Sequence, residues 1–225
     1  MNNSLFKFFI FILIYIGNLQ GSKIAVATKV KGLVELMPSG EKLFTKLKAG
    51  TILADGDKIR TGTSGFAAII FIDDKSTLKL KGNSEAVITG QRTAASISKK
   101  INMDSGTIRA TIKKQNTSFV IQTPTSVASV KGTDFWLLTD PDKGDQVIGL
   151  EGIVGLKNIE TGQDVDVVKG MSGISTPDGD IGIEETVASS IPTDPSDVSE
   201  DGPSQFKIYL EGPNGTQKVM VIEYQ

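Results

Sequence analysis

Residues 62–81 read GTSGFAAIIFIDDKSTLKLK, and two kinds of strand are written in that stretch. Gly62 to Gly65 form a small polar turn, and the run Phe66 to Ile72 that follows is apolar throughout, the pattern of a central strand buried on both faces. Asp73-Asp74 closes it with a second turn. Ser76 to Lys81 then alternates: Leu78 and Leu80 face inward while Lys79 and Lys81 face water, so this strand has one wet side.

The same grammar extends outward from Ile24 to Lys169. Runs of four to eight residues rich in Val, Ile, Thr and Phe are separated by turn clusters such as Pro38-Ser39-Gly40, Asp55-Gly56-Asp57, Gly82-Asn83, Asp104-Ser105-Gly106 and Thr161-Gly162. No segment keeps apolar residues at helical spacing for three turns. The expected fold is therefore all-β, with many short strands arranged as a two-sheet sandwich or as a jelly-roll or solenoid-like stack. A glycine followed by a short apolar strand recurs at Gly32, Gly50, Gly106, Gly152 and Gly170, at irregular spacing. Turns needing positive φ explain the recurrence, and a stacked solenoid is the alternative.

Composition removes whole classes of chemistry. The 225 residues include no cysteine and no histidine, which excludes Ser-His-Asp and Cys-His nucleophile systems, thiol redox chemistry and any metal site built from Cys or His. No cofactor is implied. The net charge of −2 conceals an uneven distribution: residues 23–177 hold 21 Lys/Arg against 16 Asp/Glu, whereas residues 178–203 hold eight acids and no base.

Four segments follow from these shifts. Residues 1–21 have Lys7 ahead of the apolar run Phe8 to Ile16, then Gly17, Asn18 and Gln20: a secretory signal peptide, with cleavage after Gly21 or after the A-x-A at Ala25 and Ala27. The run is short for a membrane span, and only an uncleaved signal would tie the chain to a membrane. Residues 22–177 form the β domain, 178–204 an acidic Pro/Ser linker with a short helix over Glu184 to Ile191, and 205–225 a C-terminal β-hairpin reversing at Asn214-Gly215. The expected location is outside the cytoplasm, periplasmic or extracellular.

Several motifs share an order. Gly50 to Gly62 reads GTILADGDKIRTG, Gly106 opens GTIRATI, Phe119 to Phe135 reads FVIQTPTSVASVKGTDF, and Leu150 to Val154 reads LEGIV. Together, over about Val30 to Gly170, they resemble the FecR domain. The resemblance implies an extracytoplasmic all-β module, best known in regulators that relay an outer-membrane transporter's iron-siderophore state to a cytoplasmic sigma factor. Those regulators carry an anti-sigma-like segment ahead of a membrane helix, whereas about six residues precede the hydrophobic run here. The domain carries over without that pathway, as an exported stand-alone module.

The residues singled out for function are few. Lysines recur two apart at Lys29/Lys31, Lys46/Lys48 and Lys79/Lys81, each pair on one strand face. They serve to block edge-to-edge pairing, or to attract an anionic envelope polymer or the chain's own acidic segment 178–203. Trp136, the single tryptophan, lies opposite Phe135 in a strand, so that one is core and the other surface-exposed; partial burial is the expectation for Trp136, with a docking anchor as the alternative. Lys29, Lys31, Lys79, Lys81, Lys131 and Trp136 are the candidate partner contacts. Asp57 reads as a turn acceptor for backbone N–H groups. Ser96 to Lys99 matches S-x-x-K but lacks the companion motifs. Asp140, Asp142 and Asp145 read as a solvated acidic turn, with a loose calcium site as the alternative. Nucleic acid is not expected as a partner, given the expected export and the lack of aromatics interleaved with the basic residues. The reading is a non-catalytic binding, scaffolding or sensory module with an envelope protein or anionic polymer as partner. Its alternatives are a carboxylate-dependent polysaccharide hydrolase and a sensory subunit of an iron-siderophore sigma-factor system.

Overall fold

Alternation of large apolar and polar side chains produces a strand-only body in the computed structural model, which describes residues 21–93, 96–114, 118–196, 204–211 and 217–224. The expected signal sequence lies, apart from Gly21, outside the described residues. The first strands are β1 (Lys23–Lys31), β2 (Val34–Met37), β3 (Thr45–Lys46), β4 (Ile52–Ala54), β5 (Asp57–Thr61), β6 (Phe66–Phe71), β7 (Thr77–Leu80) and β8 (Glu85–Arg92). The long β9 (Ile97–Thr111) follows, then β10 (Phe119–Gln122), β11 (Ser126–Val130), β12 (Asp134–Asp140) and β13 (Gly144–Glu151). The body ends with β14 (Ile153–Asn158), β15 (Asp164–Val168), β16 (Met171–Ser175) and β17 (Ile181–Glu185).

Two sheets form a sandwich. Sheet A runs β4–β1–β6–β7–β9–β12–β13–β16–β17 and is antiparallel throughout. Sheet B runs β3–β2–β5–β8–β9–β10–β11–β14–β15, antiparallel except where β10 lies parallel to β9. The strand common to both is β9. Its first part pairs with β8 and β10 in sheet B, and from Gly106 onward it pairs with β7 and β12 in sheet A. The corner turns at Gly106, whose φ is +113°; an added Cβ would lie 2.3 Å from Ser84 Oγ, so both the backbone and the space demand glycine. In each sheet the strands before β9 lie on one side of it and those after on the other. Beyond β9, hairpins join the sheets by turns: β10–β11 in B, β12–β13 in A, β14–β15 in B, β16–β17 in A. The molecule is thus a sandwich in its layers and a coil in its winding, which joins the two arrangements left open by sequence.

The core lies between the sheets, with Phe71, Ile69, Leu78, Leu80, Ile108, Phe135 and Leu137 from sheet A over Ile59, Ile88, Ile101, Phe119, Ile121 and Leu156 from sheet B, all inaccessible to solvent. Phe71 and Phe119 meet edge to face at 5.6 Å. The expectation of burial on both faces holds for only half of β6: Ala67, Ile69 and Phe71 are buried, but Ala68 and Ile70 are half-buried, because they face outward from sheet A. The glycines at 32, 50, 106, 152 and 170 all have positive φ, as the turn reading requires.

The segment expected to be a linker from residue 178 is corrected in its first part. Ile181 to Glu185 forms β17, extending sheet A through backbone pairing with β16. The expected helix is only a 3₁₀ turn, Ala188–Ser190, and the chain beyond it to Ser196 is fastened to sheet A by side-chain bonds. The C-terminal strands β18 (Ser204–Glu211) and β19 (Gln217–Tyr224) pair as an antiparallel hairpin in register Glu211 to Gln217, while its turn lies outside the described residues. Among the described residues no helix is long and apolar enough to cross a membrane.

Candidate functional site

Pairing register sets a row of side chains across the outer face of sheet A. Lys29 stands opposite Ala68, Ala68 opposite Lys79, Lys79 opposite Arg109, Arg109 opposite Trp136, Trp136 opposite Ile148, and Ile148 opposite Ser172. Directly opposed residues in an antiparallel sheet share a face, so these groups form one stripe. An outer face would ordinarily be wet, yet Trp136, Ile148 and Ser172 are almost fully buried.

Residues 186–196 cover them as a strap. At one end Thr186 N–H donates to the Gly170 carbonyl at 2.9 Å, and the Thr186 and Ser172 hydroxyls bond at 3.0 Å. At the other end Asp194 Oδ2 accepts from Lys79 Nζ at 2.6 Å and from an Arg109 Nη at 2.9 Å. Lys81 Nζ donates to the Thr193 carbonyl at 2.9 Å, and Lys79 Nζ also donates to Ser196 Oγ at 2.7 Å. Ser172 and Lys79 are four strand spacings apart, about 19 Å. A chain joining them crosses Ile148 and Trp136, which accounts for their burial.

The receiving groups are fixed by the sheet. Arg109 holds Asp134 in a two-pronged pair at 3.0 and 2.8 Å, leaving another N–H for Asp194. Lys81 Nζ and the Arg109 guanidinium lie 5.7 and 5.9 Å from the Trp136 ring centre. Burial resists ionisation of Asp194, but the Lys79 ammonium and the Ser196 hydroxyl and N–H override it and hold the carboxyl well below its ordinary range. The bond to Asp134, against the cost of burial and with help from Asp194, raises Arg109 above its already high value.

The motif residues quoted above sit elsewhere, at corners and turns. Asp57 is buried and accepts the Ser39 N–H at 3.0 Å and the Ala54 N–H at 2.8 Å. Thr123 Oγ1 accepts the N–H groups of Thr125 and Ser126 beside Pro124. Gly132 and Gly152 have φ of +113° and +77° and approach so closely that a Cβ on Gly152 would lie 2.6 Å from the Gly132 carbonyl oxygen. The ordered motif is therefore an architectural signature. Residues 57–155 match the family described as FecR protein. This stretch is a FecR domain.

The FecR domain runs from the start of β5 into β14, so β1–β4, the last strands and the strap lie outside it, and the match is shorter than the resemblance read over Val30 to Gly170. Two crystal structures of a candidate anti-sigma factor from Parabacteroides distasonis ATCC 8503 are similar in part. One, at 1.65 Å resolution, shows 15% identity and a TM-score of 0.47, and the other, at 2.50 Å, 14% and 0.49. In both, 57% of this chain is covered, and the chain spans 59% of the length of theirs. No curated protein matches the sequence.

Of the candidate contacts, Lys29, Lys79, Lys81 and Trp136 converge on the strapped face around the FecR domain's sheet A strands. Lys31 joins them at its margin, where it lines a cleft of about 610 Å³ with Phe66, Lys81, Thr193 and Pro195. Lys131 is exposed in the bend before β12 and is not brought to the row. Trp136 requires a correction: both it and Phe135 are buried, Phe135 by the core and Trp136 by the strap. Sequence reading missed Arg109, Asp134 and Asp194; the signal for Arg109 was a lone charge in the alternating GTIRATI, in phase with Lys79 across the sheet.

The other polar candidates are bound into the scaffold. In the S-x-x-K look-alike, Lys99 is a buried strand residue bridging Asp73 and Asp74, at 2.8 Å from each. Asp140 Oδ1 accepts the Asp142 and Lys143 N–H groups at 3.0 and 3.3 Å, whereas Asp145 turns inward to the Thr123 and Ser126 hydroxyls. The expected solvated turn is thus split, with Asp145 buried; the two carboxylates line one cleft but serve different local networks. Among the described residues no cluster of three or more acids is arranged to hold a metal ion.

Proposed function

We propose that this protein is a non-catalytic binding module, exported to the periplasm or beyond, in which the FecR domain serves a sensory assembly by pairing with a protein partner. The observation that carries this reading is the open end of the sandwich. Among the described residues the edge strand β17 pairs with β16 alone, and Ile183 on it is 50% exposed. The edge of sheet B, β15, packs beside it with Val168 also exposed, opposite Ile153 on β14. An unpaired backbone edge flanked by apolar side chains is the substrate of strand addition, in which main-chain bonds give affinity and alternate side chains give specificity. The strongly perturbed charges, by contrast, are spent on internal pairs rather than aimed into a cleft, which favours binding over acid–base chemistry.

Two measurements test this reading in the producing cell. A photo-crosslinking residue at Ile183 yields one discrete protein adduct, while the same residue at Leu43, exposed at the other end of the body, yields none; equal patterns at both positions sink the edge assignment. Because the chain has no cysteine, Leu43→Cys reports location alone. It reacts with a membrane-impermeant maleimide before the inner membrane is broken, and reaction only after lysis would place the protein in the cytoplasm.

A further inference from the structure

The strap is held in an unusual way for a piece of a fold. It adds no residue to the core: its 3₁₀ turn has no buried residue, and Val187 and Ile191 are 63% and 39% exposed. Beyond Thr186 its hydrogen bonds to the sheet, among the described residues, fall on three groups close in sequence, the Thr193 carbonyl, the Asp194 carboxylate and the Ser196 hydroxyl. Those groups are pre-arranged among themselves. Ser196 donates to Asp194 Oδ1 through its N–H at 2.9 Å and its hydroxyl at 2.6 Å, closing a turn over residues 194–196, and Pro192 and Pro195 stiffen the chain and remove N–H donors that would need partners.

The receiving face is built without help from the strap. Asp134 fixes Arg109, the strand register places Lys79 beside it, and Trp136 lies between Arg109 and Ile148. Uncovered, this is an arginine and a tryptophan at the centre of a polar rim, the composition that dominates binding energy at protein interfaces. A carboxylate held by two cations on a rigid sheet is recognition of a peptide side chain.

We propose that the outer row of sheet A is a binding face for an acidic peptide carrying a turn-forming Asp-Pro-Ser or its chemical like, and that residues 186–196 are its resident self-ligand. A partner's acidic segment takes the face when the strap leaves it. The charge balance agrees, since the β domain carries the excess of bases and residues 178–203 carry only acids. Tethering gives the strap an effective concentration on the order of millimolar, so an untethered copy at micromolar concentration is excluded from the wild-type face.

The test uses the full chain and a labelled peptide of the strap sequence, TVASSIPTDPS. Trp136, the single tryptophan, reports from beneath the strap. In Asp194→Ala, acrylamide quenching of Trp136 rises, and the peptide's apparent affinity rises on the order of a hundredfold over wild type as the tethered competitor is weakened. Bound peptide restores the protection, and adding Lys79→Gln removes the binding. Ser196→Ala is a milder second variant that keeps the carboxylate, and it shifts both readouts in the same direction by less. The proposal falls if Trp136 stays shielded in both variants, if it becomes accessible yet no peptide binds, or if a peptide with its own Asp replaced by Ala binds equally. Equal displacement by dextran sulfate at matched charge would assign the face to anionic polymers and overturn the peptide assignment. None of these readouts involves the β17 edge, so crosslinking at Ile183 stands or fails separately.

Discussion

Lys99 and Arg109 each hold two carboxylates, and the two sites do opposite things. Lys99 is fully enclosed, bonds Asp73 and Asp74 at the β6–β7 turn, and lies 5.3 Å from the Phe71 ring. These anchors, Asp73 and Asp74, hang on a turn between strands that the core already fixes. At the strap, Arg109 and Lys79 sit on fixed strands and keep about a fifth of their surface in water, but the carboxylate they share belongs to a segment with no core of its own. The same charge pairing is a rivet where both partners are independently positioned, and a latch where one is not.

The largest expected effect breaks the rivet. Lys99→Ala leaves Asp73 and Asp74 facing each other in a mostly buried site without their cation, which costs about 3–5 kcal/mol of unfolding free energy in urea titration. Asp194→Ala returns Lys79 and Arg109 to solvent as the strap lifts, and costs about 1 kcal/mol in the same measurement. It changes Trp136 quenching far more than it changes stability. Similar losses of stability in the two variants would erase the distinction between rivet and latch.

The difference between the sites also explains what could be seen before the fold. The alternation in Ser76 to Lys81 placed Lys79 and Lys81 on one face, because period two is a local property of the chain. The turn residues Asp57, Gly106 and Gly152 were likewise legible from local backbone demands. Trp136 was correctly set opposite Phe135 in phase, but its cover comes from chain some fifty residues away, and no local pattern encodes that. The short acidic β17 was hidden because edge strands carry charge and glycine as protection against pairing, which reads as linker. The sharing of β9 between sheets depends on long-range partner choice, for which Gly106 was the single local mark.

Acid sharpens the comparison. Asp73 and Asp194 are both held below their ordinary pKa, Asp73 against burial by Lys99 and the Ile97 N–H, Asp194 against burial by Lys79 and Ser196. A depressed carboxylate contributes stability that is complete above its unfolded value, about 3.9, and is lost as pH falls through its folded value. Both sites are therefore intact at neutral pH and weaken only below about pH 4. A strap without a core releases before a riveted body unfolds, so quenching of Trp136 rises at a higher pH than the loss of far-ultraviolet β signal. Coincident transitions would show that strap and sandwich unfold as one unit.

Salt gives the smallest and most selective effect. At 1 M ionic strength the screening length falls to about 3 Å, comparable with the latch contacts, while buried pairs are screened much less. Added NaCl at pH 7 thus raises Trp136 quenching modestly and leaves the urea midpoint of the body nearly constant, apart from the general effect of salt on unfolding. Potassium glutamate at the same strength separates screening from competition, because its carboxylate engages Lys79 and Arg109 directly. If glutamate exposes Trp136 no more than chloride does, the latch responds to screening alone. If it exposes Trp136 more, the cationic pair discriminates a carboxylate from a halide, as a face built for acidic side chains must.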